Sequence, residues 1–241
     1  MYVCSEIIVH SHSYTDKMKT LKMKTLMFAC SQLVLLFATA TFSFAQSLPE
    51  TTPQTPHNGQ WSIVFGLSQP LLAGGFNAEV VYWTERWMFD YSHGFDLKFS
   101  GVGAAKEQQL AFRMPHTLGF GVGYRFTEAF NLRLEPKMHI WDVYYENTAQ
   151  EAANRMASYT TFTLGLGAYY TWLPFKNEQN FLRGITIVPN ARWWPNIAST
   201  LPDNALRYSN TRTGREEIHQ ANNIGVANTP FFVNVSIGFT F

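Results

Sequence analysis

The end of the chain carries a strict alternation of residue types. Every second residue from 231 to 241 is apolar, and most residues between them are small or polar. The apolar set is Phe231, Val233, Val235, Ile237, Phe239 and Phe241. Because successive side chains of a β-strand point to opposite faces, this pattern predicts a strand with one apolar and one polar face.

Two earlier segments, 117–127 and 161–172, alternate in the same way. Their apolar face is built from Leu, Phe, Val, Tyr and Trp, and glycines dominate the opposite face. Glycine on the polar face suits the narrow lumen of a small barrel, where larger side chains would collide.

The rest of the sequence after residue 60 reads as further strands of this type. The eight predicted strands are residues 61–68, 76–83, 87–97, 117–127, 131–144, 161–172, 185–194 and 231–241. The predicted fold is all-β, an eight-stranded antiparallel up-and-down transmembrane β-barrel. Pro136 and Pro189 fall inside predicted strands, where each removes a ladder hydrogen bond, and the fold does not explain them.

Composition alone leaves a soluble β-sandwich open as an alternative. Charged residues make up 15% of the chain and aromatic residues 16%, with a mean hydropathy of -0.12. A transmembrane barrel hides its apolar residues in every second position and therefore looks soluble on average.

Loop lengths favour the barrel. One set of connections is short or of moderate length (84–86, 128–130, 174–184), and the other is mostly long (69–75, 98–116, 145–159, 195–230). Outer-membrane barrels sort their connections in this way, with short periplasmic turns and long outward loops, whereas a sandwich has no reason to do so.

The first 45 residues resemble a secretory signal peptide. Four lysines, the last of them Lys24, precede an apolar stretch, and cleavage is predicted after Ala45. Met18 and Met23 are both plausible true starts. An uncleaved membrane anchor and a lipoprotein at Cys30 are the alternatives. Residues 46–59 are predicted to be a polar periplasmic linker, and residues 60–241 the barrel.

Removal of the signal segment changes what the composition allows. Both cysteines of the chain, Cys4 and Cys30, lie within it, so the mature protein would contain no disulfide. The segment also carries four of the 18 basic and two of the 17 acidic residues. The mature chain is then nearly neutral, which gives no electrostatic case for nucleic-acid binding.

The C-terminal pattern ending in phenylalanine resembles the terminal strand of bacterial outer-membrane proteins. The matching residues are Val233, Val235, Ile237, Phe239 and Phe241. The chain as a whole resembles the small OmpA/OmpX-type barrels. Its general sequence pattern is also similar to that of barrels of Bacteroidota. The resemblance implies recognition of this strand by the barrel-assembly machinery and a location in the outer membrane, among its lipids and lipopolysaccharide.

Charged residues on the polar parity of the strands are predicted to lie in the lumen. The predicted luminal charge network is Asp90, Arg125, Arg133, Glu135, Lys137, His139 and Arg192, with Asp96 and Glu79 on the same parity. An eight-stranded barrel leaves room for little more than side chains, so mutual pairing that plugs the lumen is the favoured interpretation. A polar pathway for small solutes is the alternative.

Enzymatic chemistry finds little support in the sequence. Ser92 and His93 are the nearest serine–histidine pair, but adjacent strand residues face opposite ways. His93 falls on the lipid-facing parity, and Gly94 is a possible bulge that redirects it. No spacing predicts a metal or cofactor site, and His219 beside Glu216 and Glu217 is read as part of a solvated loop.

The sequence therefore predicts a non-enzymatic outer-membrane barrel with a plugged lumen. Its outward loops would serve surface interaction or envelope integrity, with a possible surface ligand at residues 195–230. A narrow transporter or ligand-binding barrel is the second hypothesis, and a lipid-modifying enzyme the third. Tryptophans near both strand ends, including Trp193 and Trp194 at the outer rim, are predicted to form two interfacial girdles.

Overall fold

The computed structural model describes residues 59–99, 108–225 and 228–241. The signal segment and nearly all of the linker lie outside this part of the chain. Eleven strands form the following series: β1 (Gln60–Gly66), β2 (Phe76–Trp83), β3 (Trp87–Phe99), β4 (Leu110–Arg125), β5 (Phe130–Tyr145), β6 (Ala157–Tyr170), β7 (Ile185–Trp193), β8 (Asn196–Ser199), β9 (Ala205–Asn210), β10 (Arg215–Gln220) and β11 (Phe231–Thr240).

In the described ranges, four short helical turns lie between the strands. One is a π-helical turn at Gln69–Ala73, and three are 3-10 turns at Ala152–Asn154, Phe181–Gly184 and Pro202–Asn204. No helix in the described ranges is long and apolar enough to cross a membrane.

Eight of the strands close into an antiparallel barrel. β1 to β7 pair in chain order, β7 pairs with β11, and β11 returns to β1 with Ser62 opposite Thr240. Closure leaves no free edge in the eight-stranded wall, so each wall strand pairs with a neighbour on both sides. The predicted eight-stranded antiparallel barrel is confirmed.

The two ends of the barrel carry different connections. We call the end with the β2–β3, β4–β5 and β6–β7 connections the turn end, and the opposite end the hairpin end.

The wall is irregular at the hairpin end. β4 starts at Leu110 rather than at residue 117, and its register against β5 shifts between Arg113 and Thr117. In β3, Asp96 has a left-handed backbone (φ 52), and the alternation of buried and exposed residues reverses there.

The prediction of one continuous loop over residues 195–230 was wrong. β8 pairs with β6 at the hairpin end, extending the line of β7 after a break at Trp194 and Pro195. β9 and β10 form a separate two-stranded hairpin, with Tyr208 opposite Glu217. The polar composition of this segment reflects the exposed face of the hairpin.

Both prolines sit inside regular ladders. Pro136 is opposite Leu164 on β6, and Pro189 is opposite Val235 on β11. The pairing on the other side of each proline is interrupted at that level but resumes in the same register. Each proline therefore removes a bond on one side without shifting the register of the strand.

Candidate functional site: the barrel lumen

The lumen is built from every second residue of the eight wall strands. Inward side chains are buried and outward ones are exposed along most of each strand, as in β6 and β7. From the turn end to the hairpin end, the buried side chains form three layers. The first carries hydroxyl groups beside a small apolar cluster (Val81, Trp83 and Met88), the second charges, and the third apolar side chains.

Hydroxyl groups hold the turn end together. Ser62 Oγ and Thr240 Oγ1 lie 2.7 Å apart, and Thr240 Oγ1 lies 2.7 Å from Thr186 Oγ1. The Trp83 indole N–H donates to Ser62 Oγ at 2.7 Å. These contacts join β1, β2, β7 and β11 across the seam where the barrel closes.

Arg133 is the centre of the charged layer. Its Nη1 donates to the Glu79 carboxylate and lies 3.3 Å from Asp90 Oδ2. Its Nε donates to Asn131 Oδ1 at 2.8 Å, and its guanidinium lies 3.6 Å from the ring centroid of Tyr169. Hydrogen bonds and ring contact together compensate the loss of water around this buried cation.

Glu135 is a second centre of contacts in the charged layer. It accepts a hydrogen bond from the Tyr169 hydroxyl at 2.8 Å and one from the Trp194 indole N–H at 3.3 Å. Lys137 Nζ lies 3.5 Å from the same carboxylate and donates to Ser92 Oγ at 2.6 Å.

Arg192, on β7, links the contacts around Arg133 with those around Glu135. Its Nη2 lies 3.7 Å from Glu79 Oε2, and its guanidinium packs against the rings of Tyr169 (4.9 Å) and Trp194 (4.7 Å). Arg192 Nε and Asp90 Oδ1 have no hydrogen-bond partner among the described residues. The contacts around Glu79 and Glu135 are therefore the better-satisfied part of the layer.

The charged layer is electrically balanced. Three cations face three carboxylates, and all six side chains are almost completely buried: Arg133, Lys137, Arg192, Glu79, Asp90 and Glu135. A balanced cluster avoids the several kcal/mol per ion that an unpaired buried charge costs.

The structure leaves two residues of the predicted network outside this cluster. Arg125 donates to the carbonyl oxygens of Thr84 (2.6 Å) and Glu128 (3.2 Å), so it ties two turns together. His139 is enclosed by hydroxyl groups, with Nδ1 2.6 Å from Thr117 Oγ1 and Nε2 2.9 Å from Thr163 Oγ1. Neither side chain forms an ion pair with a carboxylate among the described residues.

Asp96 does not lie in the lumen. The left-handed backbone at this residue reverses the parity of β3, so Leu97 is buried instead. The Asp96 carboxylate pairs at the barrel rim with Arg113 (2.5 Å) and Lys98 (3.4 Å). The parity prediction for Asp96 was wrong because a strict period of two does not anticipate such a break.

Trp194 is also placed differently from the predicted girdle. Trp193 is exposed on the outer face, but Trp194 is buried in the lumen above the cations Lys137 and Arg192. The break at Pro195 turns this indole inward. A β-carbon at Gly165 would collide with the indole, so the glycine provides its space.

The third layer closes the hairpin end with apolar side chains. Leu97, Leu110, Phe112, Met114, Trp141 and Val143 form a buried cluster from β3, β4 and β5. Tyr208 of β9 packs into the same cluster, and Leu206 packs against it. The hairpin is therefore fastened to the barrel by burial of apolar surface.

His219 of β10 adds a polar anchor to the hairpin. Its ring stacks on Phe112 at 4.8 Å, and its two nitrogens lie 2.5 Å from Gln108 Oε1 and 2.9 Å from Asn222 Oδ1. Burial lowers the pKa of His219 below its ordinary value, and the hydrogen bond with Asn222 opposes this shift. The solvated-loop interpretation of His219 was wrong, since this imidazole is buried against the barrel.

The serine–histidine pair considered from the sequence does not come together. Ser92 Oγ accepts from Lys137 in the lumen, while His93 faces outward and contacts Tyr91 and His116. The pairing of β3 continues through Gly94 on both sides, so there is no bulge to redirect His93. Within residues 59–99, 108–225 and 228–241, no group of three or more His, Cys, Asp or Glu side chains is arranged to hold a metal ion.

The C-terminal strand lies between β1 and β7 in the wall. Phe231, Val233, Ile237, Phe239 and Phe241 are exposed on its outer face, and Val235 on the same face is partly buried. Asn234, Ser236 and Thr240 are buried on the inner face.

No protein-family model and no curated protein matches the sequence. Solved structures with a similar arrangement include the N-terminal β-barrel domain of OprF from Pseudomonas aeruginosa, at 11% identity and a TM-score of 0.38, covering 76% of this chain and 98% of that one. The outer membrane protein Ail of Yersinia pestis, solved in a phospholipid bilayer nanodisc, gives 13% identity and 0.34, covering 76% and 100%. A major outer membrane protein from Thermus thermophilus gives 10% and 0.39, covering 76% and 98%.

Proposed function

We propose that this protein is a non-enzymatic outer-membrane β-barrel with a closed lumen that presents the β9–β10 hairpin at the cell surface. The outer face supports a membrane location. Large apolar side chains are exposed around the wall, among them Phe120 (60%), Leu134 (51%), Leu166 (52%) and Phe231 (62%). A water-soluble protein rarely exposes a continuous apolar surface of this extent, whereas lipid covers it in a membrane.

The orientation follows from the connections. The turn end would face the periplasm and the hairpin end the outside, as in barrels that cross the outer membrane. A cleaved signal peptide over residues 1–45 would direct export. The exposed apolar face of β11, ending at Phe241, would be read by the barrel-assembly machinery, and lipopolysaccharide and phospholipid would surround the wall.

One observation carries the proposal of a closed lumen. Side chains of opposite walls meet in the charged layer, where Arg133 of β5 contacts Glu79 of β2 and Arg192 of β7 approaches the same carboxylate. The apolar layer then separates these charges from the hairpin end. An ion would have to break a balanced buried cluster and cross an apolar layer, which is unfavourable in both steps.

The hairpin supports a role in surface interaction. Its inner face packs against the barrel through Tyr208 and His219, which leaves its outer face exposed. The outer face and tip expose Arg207, Arg212, Arg215, Glu216 and Ile218. A rigid scaffold with an exposed, mixed-charge loop region is the usual arrangement for a binding surface. A contribution to envelope integrity is the alternative use of the same surface.

Conductance in planar bilayers tests the closed lumen. We expect the purified mature protein to give no steady unitary current. Steady currents in the wild type that Arg133→Ala abolishes or alters would instead establish a narrow transporter.

Incubation with labelled lipopolysaccharide tests the non-enzymatic assignment. We expect no turnover, because His139 is enclosed by threonine hydroxyls and Ser92 is bound to Lys137. Turnover that is lost in His139→Ala would overturn the assignment.

A further inference from the structure

Two histidines interrupt the apolar outer face at its edge towards the hairpin end. His93 on β3 and His116 on β4 both face outward, with His93 opposite Leu118 and His116 opposite Phe95. His116 of β4 is ten residues before Phe126, which directly follows that strand. Phe162 of β6 is likewise ten residues before Trp172, just past the end of its strand, and these two residues bound the apolar outer face there. The pair therefore lies at the expected boundary between the bilayer and the outside.

The two imidazoles are held in one hydrogen-bonded chain. Tyr91 Oη lies 3.1 Å from His93 Nδ1, and His93 Nε2 lies 3.3 Å from His116 Nδ1. The His93 ring is stacked on Phe95, with centroids 4.0 Å apart and planes at 8°. The ring of His93 is thus held by the Tyr91 hydroxyl and by Phe95, and its Nε2 is directed at the His116 imidazole.

The spacing of these two nitrogens matches that of two ligands of one metal ion. Imidazole nitrogens bind zinc at about 2.0–2.1 Å, so two of them at a tetrahedral angle are about 3.4 Å apart. The 3.3 Å between His93 Nε2 and His116 Nδ1 lies close to that value. A cation can therefore replace the shared proton at this separation, once each ring turns its nitrogen lone pair off the N–N line towards the metal.

We propose that His93 and His116 form a binding site for a divalent cation that prefers imidazole ligands, such as Cu²⁺ or Zn²⁺. His93 would bind through Nε2 and His116 through Nδ1, with water or an anionic group in the remaining positions. Metal binding would leave the proton of His93 on Nδ1, where it donates to the Tyr91 oxygen. Tyr91 is then a positioning residue, in the way that second partners orient metal-binding histidines.

This inference does not depend on the state of the lumen. The pair lies on the outer wall, and Ser92, its inward neighbour on β3, belongs to the charged layer. A conducting barrel would leave the site intact, so failure of the closed-lumen proposal and failure of this one are separate results.

Calorimetric titration of the refolded, tag-free mature protein with CuCl₂ tests the site, with ZnCl₂ as competitor. We expect one site in the wild type and at least a tenfold loss of affinity in His93→Gln and in His116→Gln. Tyr91→Phe should keep the stoichiometry and weaken binding by about tenfold, the lower end of what loss of a second partner produces. Copper electron paramagnetic resonance should show coupling to two nitrogens, and to one in either histidine variant.

His57→Gln is the matched control, because it removes one imidazole from the segment that precedes the barrel. Heat-dependent mobility on SDS gels should be the same for all variants, which shows that each is folded. Binding in His93→Gln or His116→Gln that is as strong as in the wild type, or binding that is lost only in His57→Gln, would contradict the proposal.

Discussion

The Trp194 indole of the β7–β8 break lies directly over Gly165 of β6, in the space that a β-carbon would need. This contact places a large ring against the cations Lys137 and Arg192 of the charged layer. It also links the irregular strand end to the charged layer, because the same indole N–H donates to Glu135 at 3.3 Å.

Gly165→Val is therefore expected to expel Trp194 and destabilise the barrel. The loss of this packing and of the hydrogen bond to a buried carboxylate should cost about 2–4 kcal/mol, within the range of disruptive core substitutions. Urea unfolding in detergent micelles measures the change. Ala168→Val, on the outward face of the same strand, is the matched control and should change stability by less than about 1 kcal/mol. Equal effects of the two variants would show that Gly165 has no special role.

Arg133 is expected to be strongly coupled to Glu79. Arg133→Met removes the central cation and leaves buried carboxylates uncompensated, a change that costs about 3–5 kcal/mol in other buried pairs. Adding Glu79→Gln restores the charge balance, so the double variant should be more stable than the sum of the single changes predicts. Unfolding free energies from a double-mutant cycle measure this coupling.

A surface pair provides the comparison for that cycle. Lys98 and Asp96 lie 3.4 Å apart but are about half exposed (50% and 44%), so their cycle should give a coupling below about 1 kcal/mol. If the Arg133–Glu79 coupling is no larger, the charged layer does not depend on mutual pairing.

The hairpin is expected to loosen in acid because of His219. Burial lowers the pKa of this imidazole below its ordinary value of 6.5, so the docked hairpin holds it neutral. The contribution of His219 is fully present above pH 6.5 and is lost as the pH falls from there through the lowered pKa, because the undocked state then binds the extra proton. Hydrogen exchange of residues 205–220 between pH 7.5 and pH 5 reports this change.

His219→Gln is the control for that titration. Glutamine retains hydrogen bonding without a charge, so exchange in the hairpin should lose most of its dependence on pH beyond the intrinsic chemistry. If the hairpin opens to the same extent at low pH in the wild type and in His219→Gln, the pH effect belongs to another group.

The sequence predicts the wall of this protein far better than its interior contacts. The period of two depends only on backbone geometry, so every wall strand could be identified from alternation. The period fails where the backbone leaves the regular strand, at Asp96 and at Trp194. Neither the left-handed residue nor the inward indole has a local pattern that a single sequence reveals.

For a related reason, the sequence alone does not predict which side chains contact each other in the lumen. Parity shows that Arg133 and Glu135 face inward, but which residues they meet depends on the stagger between strands. Glu79 as the main partner of Arg133, and Tyr169 and Trp194 as donors to Glu135, follow from that stagger.

Arg125 is expected to stabilise the turn end without contributing to the charged layer. Its guanidinium donates to the carbonyl oxygens of Thr84 and Glu128, and it lies 5.4 Å from the Trp83 ring centroid. Arg125→Gln should therefore increase hydrogen exchange in the β2–β3 and β4–β5 turns and cost about 1–3 kcal/mol, the range for lost hydrogen bonds to a charged group. Its effect should add to that of Arg133→Met to within about 1 kcal/mol, because the two guanidinium groups share no carboxylate and meet only at the Trp83 ring, 5.4 Å and 5.9 Å from its centroid. A coupling above about 1 kcal/mol between these two arginines would place Arg125 in the charged layer after all.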